Sequence, residues 1–350
     1  MSYFEQHLIN TSTSIIEALD KLNYLSENAV LFLVDNEKRL VGSLTDGDIR
    51  RGLLNKLSLK DDIKFFMNLK PHYIRKNSFD IYQLLHLRNE SIKIIPILDD
   101  YTDEIIDLIN FNQKKSFLPV DVVVMAGGRG ERLKPLTDTL PKPLLEIGDK
   151  PIIRYSIDRL IEFGVTKFHI SVRYLGELIK TYFENNFKND SIEIDFITEN
   201  KPLGTIGAIK YIQKIENETV LLTNSDLLTN LNYEDFYLKF IESKADMAIA
   251  TIPTEINIPY GVLECEDNIV TSFVEKPTYN YFSNGGIYLF KKELISLIPD
   301  DTFYNATDLI DRLLLLSKKI ISYPIHTYWL DIGRHEDFEK AQLDINQVNF

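Results

Sequence analysis

Short apolar strands alternate with helices from Val120 to Thr223, and this alternation constrains the fold more than any other feature of the sequence. Segments rich in Val and Ile are followed by segments whose apolar residues recur at helical spacing. We expect strands at 120–125, 167–172, 192–198 and 219–223, and helices at 152–163, 175–185 and 205–215. Such alternation is typical of a mainly parallel sheet covered by helices on both faces. Ligands of these sheets bind beyond the carboxyl ends of the strands, so the loops there are the first places to look for a site.

The first of these strands runs directly into a glycine-rich loop, AGGRGERLKPLT at 126–137, which is followed by PKPL at 141–144. Its three glycines would let backbone N–H groups approach a phosphate closely. The loop lacks the Gly-Lys-Ser/Thr ending of a P-loop. Leu133 also stands where the dinucleotide-binding fingerprint requires a small residue. A tight strand-to-helix turn without a ligand is the remaining simple interpretation of the glycines.

The acidic composition limits the partners that the chain can have. A formal net charge of −13 argues against a nucleic-acid partner, which requires a basic surface. Positive charge for a phosphate ligand would then come from a few Lys and Arg side chains and a metal ion. The sequence shows neither a charged-then-apolar leader nor an apolar run long enough to span a bilayer, so we expect a cytoplasmic protein without membrane contact. Cys265, the single cysteine, is interpreted as a packing or surface thiol.

From Val122 to the C-terminus, the loop and the motifs after it resemble, in order, the signature of the sugar nucleotidyltransferases, the nucleotidyl transferase family. The resemblance implies a Rossmann-like (GT-A-like) mixed sheet with helices on both faces for residues 120–350. In that family the glycine-rich loop wraps the triphosphate, and a second loop, here ENKPLGT at 199–205, contacts the base. The implied nucleotide-binding residues are Ala126, Gly127, Gly128, Gly130, Glu199, Gly204 and Thr205. Thr205 is also expected to cap the helix that follows it.

The same resemblance covers motifs for a metal ion and a sugar phosphate. NSD at 224–226 and WLDIG at 329–333 supply Asp226 and Asp331 as implied ligands of Mg²⁺, which prefers oxygen ligands and rarely has a full protein cage. The motifs YGV, EKP and NGG supply the implied sugar-phosphate-binding residues, which are Gly261, Glu275, Lys276, Asn284 and Gly285. The implied catalytic cations are Arg132, Lys142 and Lys276.

The resemblance implies a reaction in which a nucleoside triphosphate and a sugar 1-phosphate form an NDP-sugar and pyrophosphate. Repulsion between the two anionic substrates is the main obstacle, so positioning and positive charge would carry the catalysis. The loop sequence is closer to guanylyltransferases acting on mannose, heptose or glucosamine 1-phosphate than to uridylyl or thymidylyl enzymes. GTP and glucosamine 1-phosphate are therefore the expected substrates, because an N-terminal repeat fused to this domain is similar to the arrangement in glucosamine-1-phosphate guanylyltransferases of bacterial legionaminic acid synthesis.

Two groups of alternatives stay open. Within the enzyme class, the chain could act on mannose or heptose 1-phosphate, or use a uridylyl, thymidylyl or cytidylyl donor. The alternative from another class is a non-catalytic, nucleotide-sensing regulatory subunit. Such relatives lose catalytic charges first, and the retention of Arg132, Lys142, Asp226, Lys276 and Asp331 favours an enzyme.

Residues 1–115 read as two similar halves, each with a helix followed by two apolar strands, and a polar stretch at 112–119 is the predicted linker. In the first half, a helix is expected at 14–22, strands at 29–34 and 40–44, and a further helix capped by Thr45. In the second half, a helix is expected at 79–88 and strands at 92–98 and 105–109. This repeat resembles a CBS-domain pair, a small α/β module, and the resemblance implies that Thr45 and Asp48 hold an adenine nucleotide. The second half has no matching Thr-x-x-Asp. A regulatory sensor and a dimerisation module with an idle pocket both stay open, and a homo-oligomer is expected because such pairs often stack between subunits.

Overall fold

A computed structural model describes residues 4–76, 80–187 and 192–348 of the chain. The chain forms two compact units. The N-terminal unit comprises Met1–Leu118 with Glu162–Gly164, and the C-terminal unit comprises Pro119–Ile161 with Val165–Phe350. Within the described ranges, no helix combines the length and the apolar character needed to cross a bilayer.

The two halves of the N-terminal unit have the same strand arrangement. The strands are β1 (Leu8–Asn10), β2 (Leu31–Val34), β3 (Leu40–Leu44), β4 (Ile74–Arg75), β5 (Ile94–Leu98) and β6 (Ile105–Asn110), and the helices are α1 (Ile15–Leu25), α2 (Asp46–Leu54) and α3 (Ile81–Asn89). In each three-stranded sheet the first strand lies parallel to the second, and the second lies antiparallel to the third. Phe79, the predicted start of α3, lies outside the described residues.

The C-terminal unit contains thirteen strands and five α-helices among its described residues. The strands are β7 (Val120–Ala126), β8 (Glu146–Ile147), β9 (Lys150–Pro151), β10 (Lys167–Val172), β11 (Glu193–Thr198), β12 (Thr219–Asn224), β13 (Leu227–Thr229), β14 (Met247–Asn257), β15 (Val262–Glu266), β16 (Ile269–Val274), β17 (Thr278–Lys291), β18 (Ile320–Pro324) and β19 (Trp329–Asp331). The helices are α4 (Ile152–Glu162), α5 (Gly176–Asn186), α6 (Tyr233–Ser243), α7 (Ala306–Leu315) and α8 (His335–Asp344).

A seven-stranded sheet in the order β11-β10-β7-β12-β17-β14-β18 organises this unit. β11, β10, β7 and β12 are parallel, whereas β17 lies antiparallel to both of its neighbours. Apolar side chains of α7 pack in one buried cluster with those of β12 and β17. The predicted mixed α/β sheet with helices is confirmed, and the carboxyl ends of β10, β7 and β12 meet at one edge.

The helix predicted at 205–215 is wrong, since the structure has only a short 3₁₀ helix at Gly207–Tyr211. The backbone N–H groups of Ile206 and Gly207 both donate to the carbonyl oxygen of Tyr304, which holds this segment against the residues before α7. Ile206 also has φ −146°, outside the helical range. A contact about 100 residues away in the sequence thus overrides the local helical periodicity.

A two-stranded ribbon extends β14 and β17 beyond the sheet. Residues 252–257 pair only with 278–283 among the described residues, and β15 and β16 continue the ribbon to its tip. The tip is a two-residue turn, Asp267-Asn268, with both residues at positive φ, as a type I′ hairpin requires. We call residues 252–283 the β-arm.

Candidate active site

A cavity of about 530 Å³ opens beyond the carboxyl ends of β7, β10 and β12. It brings together all seven residues predicted to bind the nucleotide and two of the predicted catalytic cations. From the predicted set it is lined by Ala126, Gly127, Gly128, Gly130, Arg132, Lys142, Glu199, Gly204, Thr205 and Asp226. A larger cavity of about 710 Å³ beside β10 and β11 contains none of the predicted site residues.

The glycine-rich loop has a shape that side chains would disturb. Gly130 has φ +63°, and a Cβ there would lie 2.9 Å from Cγ2 of Thr137 and 3.0 Å from Cβ of Lys142. A Cβ on Gly127 would lie 2.7 Å from the carboxylate of Glu199. Gly128 instead has open space around it, and a methyl group added there would have no described atom within 4 Å. The loop therefore holds an exposed backbone at Gly128 on a tightly packed base, as close approach to a phosphate requires.

The second loop is held by the buried carboxylate of Glu199. The Ser171 hydroxyl donates to Oε1 of Glu199, and the Leu203 N–H donates to Oε2 at 3.2 Å. Glu199 lines the cavity, but both of its oxygens are used to fix the loop. Gly204, at φ +78°, leaves space for the Tyr304 carbonyl oxygen, which a Cβ would approach to 2.4 Å.

Thr205 does not cap a helix of its own, contrary to the sequence prediction. Its Oγ1 accepts the backbone N–H of Ala306 at 2.9 Å, and its own N–H donates to Oδ1 of Asn305 at 3.3 Å. Asn305 is the N-cap of α7. Thr205 therefore fixes the second loop to the start of α7, beside the cavity that it lines.

Two carboxylates, Asp226 and Asp331, lie next to each other; Asp226 lines the cavity, and Asp331 is not among its lining residues. β13 and β19 pair Leu227 with Asp331, and the Ile332 N–H donates to the Asp226 carbonyl oxygen at 3.0 Å. The Lys142 ammonium forms an ion pair with Oδ2 of Asp226. Oδ1 of Asp226 and Oδ1 of Asp331 are buried and have no hydrogen-bonding partner among the described residues. Burial, together with repulsion from Asp226, raises the pKa of Asp331, although Lys142 acts against the increase.

The Trp-x-Asp-x-Gly motif positions its neighbours as well as Asp331. Nε1 of Trp329 donates to the Gly285 carbonyl oxygen at 2.9 Å, which connects β19 to the Asn-Gly-Gly motif. A Cβ on Gly333 would lie 3.3 Å from the guanidinium of Arg132, so the glycine leaves room for that cation. The amide of Asn284 donates to the Tyr288 hydroxyl and accepts the Gly286 N–H. The Asn284 side chain thus bridges the register shift at which the partners in β17 pass from Tyr288 to Asn284.

Three residues of the predicted sugar-phosphate set lie on the β-arm and do not line the cavity. They are Gly261, Glu275 and Lys276. Glu275 and Lys276 are exposed, and neither has an ion pair or side-chain hydrogen bond among the described residues. Lys276 has φ +46°, a conformation that costs a non-glycine residue about 1 kcal/mol or more. Their assignment to sugar-phosphate binding stays a prediction.

Sequence reasoning missed three cavity residues, Arg173, Phe303 and Asn305. Arg173 directly follows β10, and its Nε is buried without a partner among the described residues. The rule that ligands bind after parallel strands would have found it, because the end of this strand was predicted correctly. Phe303 and Asn305 precede α7 and carry no comparable sequence signal.

The predicted ligand residues of the N-terminal unit, Thr45 and Asp48, are hydrogen-bonded to each other. Thr45 is the N-cap of α2, and its hydroxyl donates to Oδ2 of Asp48 at 2.6 Å. The Asp48 N–H donates back to Oγ1 of Thr45, and Arg51 pairs with Oδ1 of Asp48. The predicted helix start at Thr45 is therefore confirmed, while ligand binding by this pair stays a prediction.

Fold and cavity together define an α/β nucleotidyltransferase. The nucleotidyl transferase family matches residues 121–348, and the chain belongs to this family. The chain is 31% identical over 229 residues to D-glycero-alpha-D-manno-heptose 1-phosphate guanylyltransferase of Aneurinibacillus thermoaerophilus, an alignment that covers 65% of this chain and 98% of that protein. It is 32% identical over 229 residues to mannose-1-phosphate guanyltransferase of Pichia angusta, of which the chain spans 61%.

Solved structures give the same result for the fold. HddC from Yersinia pseudotuberculosis is 31% identical, with a TM-score of 0.51 and coverage of 64% of this chain and 99% of that one. A second structure of HddC, complexed with GMP-PN, is 30% identical with a TM-score of 0.50. A putative glucose-1-phosphate thymidylyltransferase from Bacillus anthracis, at 20% identity and a TM-score of 0.51, shares the fold.

Proposed function

We propose that this chain transfers a guanylyl group from GTP to a sugar 1-phosphate and releases pyrophosphate. The observation that carries the proposal is the cavity at the carboxyl edge of the sheet. There the exposed backbone of Gly128, the Lys142 cation and the Asp226 carboxylate face one space. A polyphosphate needs these three features together: a backbone that can be approached, positive charge, and an acidic group able to hold a cation.

The proposed chemistry requires no nucleophile from the protein. An oxygen of the sugar phosphate attacks the α-phosphorus of GTP. A new P–O bond forms while the bond from the α-phosphorus to the bridging oxygen of the β-phosphate breaks, and pyrophosphate leaves with the electron pair. Lys142 and Arg132 line the cavity and would offset the charge of the phosphate groups as they approach each other.

A divalent cation fits the two carboxylates. Oδ1 of Asp226 and Oδ1 of Asp331 are buried acceptors without a partner among the described residues, which is a cost that a bound cation would remove. Mg²⁺ suits them because it takes oxygen ligands and leaves positions for water and phosphate oxygens. When bound there, Mg²⁺ would supply positive charge to the phosphate oxygens of the substrates. Asp226 and Asp331 are the residues that would hold it.

The choice of GTP is supported by the names of the relatives, which are guanylyl enzymes, and by the HddC complex with GMP-PN. Those names give heptose 1-phosphate and mannose 1-phosphate as sugar substrates of the relatives. Glucosamine 1-phosphate, for a product used in legionaminic acid synthesis, stays our prediction from the order of the two units. The three sugars are therefore the first to test.

The test is pyrophosphate release in the presence of Mg²⁺, with the four ribonucleoside triphosphates and dTTP each combined with glucosamine, mannose, heptose and glucose 1-phosphates. Release from GTP with one sugar supports the proposal. Release only from UTP, CTP or dTTP keeps the enzyme class and contradicts the guanylyl assignment. A folded chain that binds GTP and releases no pyrophosphate would instead support the non-catalytic regulatory subunit.

Lys142 offers the sharpest variant. We expect Lys142→Ala to lower kcat by roughly 10²–10³, the usual cost of losing one electrostatic group at a phosphate. Lys150→Ala is the matched control, because Lys150 pairs with Asp158 and does not line the cavity. Both variants should keep their far-UV circular dichroism. An unchanged kcat in Lys142→Ala would remove Lys142 from the catalytic set.

For the N-terminal unit we propose adenine-nucleotide binding at Thr45 and Asp48. The hydroxyl and carboxylate lie together at the N-terminus of α2, where the helix dipole favours an anion. Calorimetric titration of the full chain with AMP and ATP tests this, with Asp48→Asn as the variant. Absence of binding would leave dimerisation as the role of the unit.

A further inference from the structure

Arg173 lies between the two loops that line the cavity. Strand β10 pairs with both β7 and β11 up to the last residue of each strand. The residues that follow these three strands are Arg173, Gly127 and Glu199, so they leave the sheet at one level and line the cavity together. A Cβ on Gly127 would lie 3.4 Å from Cβ of Arg173 and 2.7 Å from Oε1 of Glu199, which confirms that the three residues are neighbours.

The sheet order separates Arg173 from the charged groups that we assign to the phosphates. Arg173 follows β10, whereas Asp226 follows β12, on the other side of β7. The two strands lie two spacings apart, which is roughly 10 Å. The Lys142 ammonium pairs with Asp226, so this cation also lies on the β12 side. The base and the phosphates of a nucleotide lie at opposite ends of the ribose, so phosphates at Lys142 would direct the base toward β10 and β11.

The guanidinium of Arg173 is not used within the protein. It forms no ion pair and no side-chain hydrogen bond with the described residues, and its Nε is buried. The neighbouring carboxylate of Glu199 instead accepts from the Ser171 hydroxyl and the Leu203 N–H. A buried donor without an acceptor destabilises the fold unless something else supplies the acceptor. In a ligand cavity, the ligand is the group that can do so.

The chemistry of the guanidinium restricts which base it can recognise. Arginine has only donors, arranged in a planar fork that fits two adjacent acceptors. Guanine offers such a pair, O6 and N7, on one edge. On the same edge adenine has an amino donor in place of O6, cytosine has an amino donor, and thymine or uracil has the single acceptor O4. A phosphate also fits the fork, but Lys142 and Asp226 lie on the other side of β7.

We propose that Arg173 donates to O6 and N7 of guanine and gives the cavity its preference for GTP. This role rests on the proposed function, in which the choice of GTP otherwise comes from the names of relatives. Arg173 then determines which base binds and takes no part in the bond changes at the α-phosphorus. Its loss should therefore raise the KM for GTP and leave kcat nearly unchanged.

Calorimetric titration of the full chain with Mg²⁺ and without a sugar phosphate tests the proposal, because it measures nucleotide binding alone. A bidentate pair of arginine with guanine discriminates by roughly 10–100-fold, so Arg173→Ala should weaken GTP by that factor and ATP by less than about threefold. ITP retains O6 and N7 and should lose as much affinity as GTP. 7-Deaza-GTP has a C–H group in place of N7, so it should bind the wild type more weakly than GTP and lose less on substitution.

Two further variants define what the loss means. Arg173→Lys keeps the charge without the fork, so it should recover little of the GTP affinity, whereas a contact with a phosphate would be largely recovered. Arg312→Ala is the matched control, because it removes the same charge from an exposed position on α7 outside the cavity. It should leave the dissociation constants of all four nucleotides unchanged. Far-UV circular dichroism checks that each variant is folded.

Equal losses of affinity for GTP, ITP and ATP in Arg173→Ala would indicate a phosphate contact and overturn the proposal. An unchanged GTP affinity in the folded variant overturns it as well. Equal binding of GTP and 7-deaza-GTP by the wild type overturns the pairing without any variant, so the test does not depend on the folding of Arg173→Ala.

The same titrations separate failure of this inference from failure of the proposed function. A wild type that prefers GTP, together with an Arg173→Ala variant that keeps the same preference, rejects the role of Arg173 alone. A wild type that binds GTP no more tightly than ATP or UTP rejects the guanylyl assignment, and the role of Arg173 with it.

Discussion

Replacing Asp331 by Asn should stabilise the metal-free protein and lower its activity. The change keeps the size of the side chain and removes its charge. Oδ1 of Asp331 is buried without a hydrogen-bonding partner among the described residues. Asp226 directly precedes β13, the strand that pairs with β19, and Asp331 is the last residue of β19. An amide at this position would remove the repulsion with Asp226. Without a bound cation, the charge of Asp331 lowers the free energy of unfolding.

The size of the effect follows from the burial of the carboxylate. An unsatisfied buried polar group costs ~1–3 kcal/mol, and we take the lower end because Lys142 and Arg132 attract the Asp331 charge. For a unit of this size ~1 kcal/mol corresponds to a rise in Tm of about 2–4 °C. Burial raises the pKa of Asp331 in the folded state, so the unfolded chain loses this proton first as the pH rises. The gain should therefore be absent below about pH 3.9, grow between that pH and the folded pKa of Asp331, and stay constant above the folded pKa.

Differential scanning calorimetry in EDTA at neutral pH measures the effect, with Asp337→Ala as the control. Asp337 accepts the N–H groups of Gly333 at 3.1 Å and Arg334 at 2.8 Å, so its replacement should lower the Tm. In the turnover assay Asp331→Asn should lose roughly 10² or more in kcat, as expected for a group that places positive charge at a phosphate. Adding Mg²⁺ should raise the Tm of the wild type more than that of Asp331→Asn.

A fall in the Tm of Asp331→Asn in EDTA, similar to that of Asp337→Ala, would refute the reasoning. It would mean that the carboxylate of Asp331 makes a structural interaction in the metal-free state. An equal effect of Mg²⁺ on the wild type and on Asp331→Asn would refute the assignment of Asp331 to the cation.

Two further predictions concern the loop and the sheet. Gly130→Ala should lower the free energy of unfolding by about 1–2 kcal/mol in urea titrations, because φ is +63° and the new methyl group meets Thr137. Gly128→Ala has open space and should leave that free energy within about 0.5 kcal/mol while weakening GTP binding; equal unfolding curves for the two variants would contradict the loop geometry. Burial acts to raise the pKa of Asp121, but hydrogen bonds from His169 and Asn217 outweigh it and lower that pKa. Asp121→Asn should therefore destabilise by about 2 kcal/mol at pH 7, with the difference from wild type decreasing as the pH falls through the folded pKa of Asp121, and a difference independent of pH would contradict this.

The sheet and the nucleotide half of the site could be predicted because their signals are local. The strand predicted at 167–172 matches β10 completely, and β7 is only one residue longer than predicted. Parallel strands gather their carboxyl ends at one edge, so motifs far apart in the sequence, such as Gly128 and Asp226, meet there. The family resemblance and the strand pattern thus predicted the same place for this part of the site.

Contacts between distant segments decided the features that could not be predicted. Threonine is a common helix-capping residue, and the apolar residues of 205–215 recur at helical spacing. The carbonyl oxygen of Tyr304 accepts the N–H groups of Ile206 and Gly207, Ile206 has a non-helical φ of −146°, and Oγ1 of Thr205 accepts the N–H of Ala306 in α7. Neither contact leaves a trace in the sequence near Thr205. A local helical pattern predicts a helix only where contacts with distant segments leave the backbone free to adopt helical φ and ψ.

The β-arm shows how strand neighbours decide where a motif lies. Residues 252–283 alternate like ordinary strands, and nothing in that segment says whether it lies within the sheet or beyond it. β18 ends at Pro324, which pairs with Thr251, and β12 ends at Asn224, level with Thr251. The ribbon thus loses both neighbours at one level. The motif residues beyond that level, including Lys276, therefore lie on the β-arm and not among the residues that line the cavity.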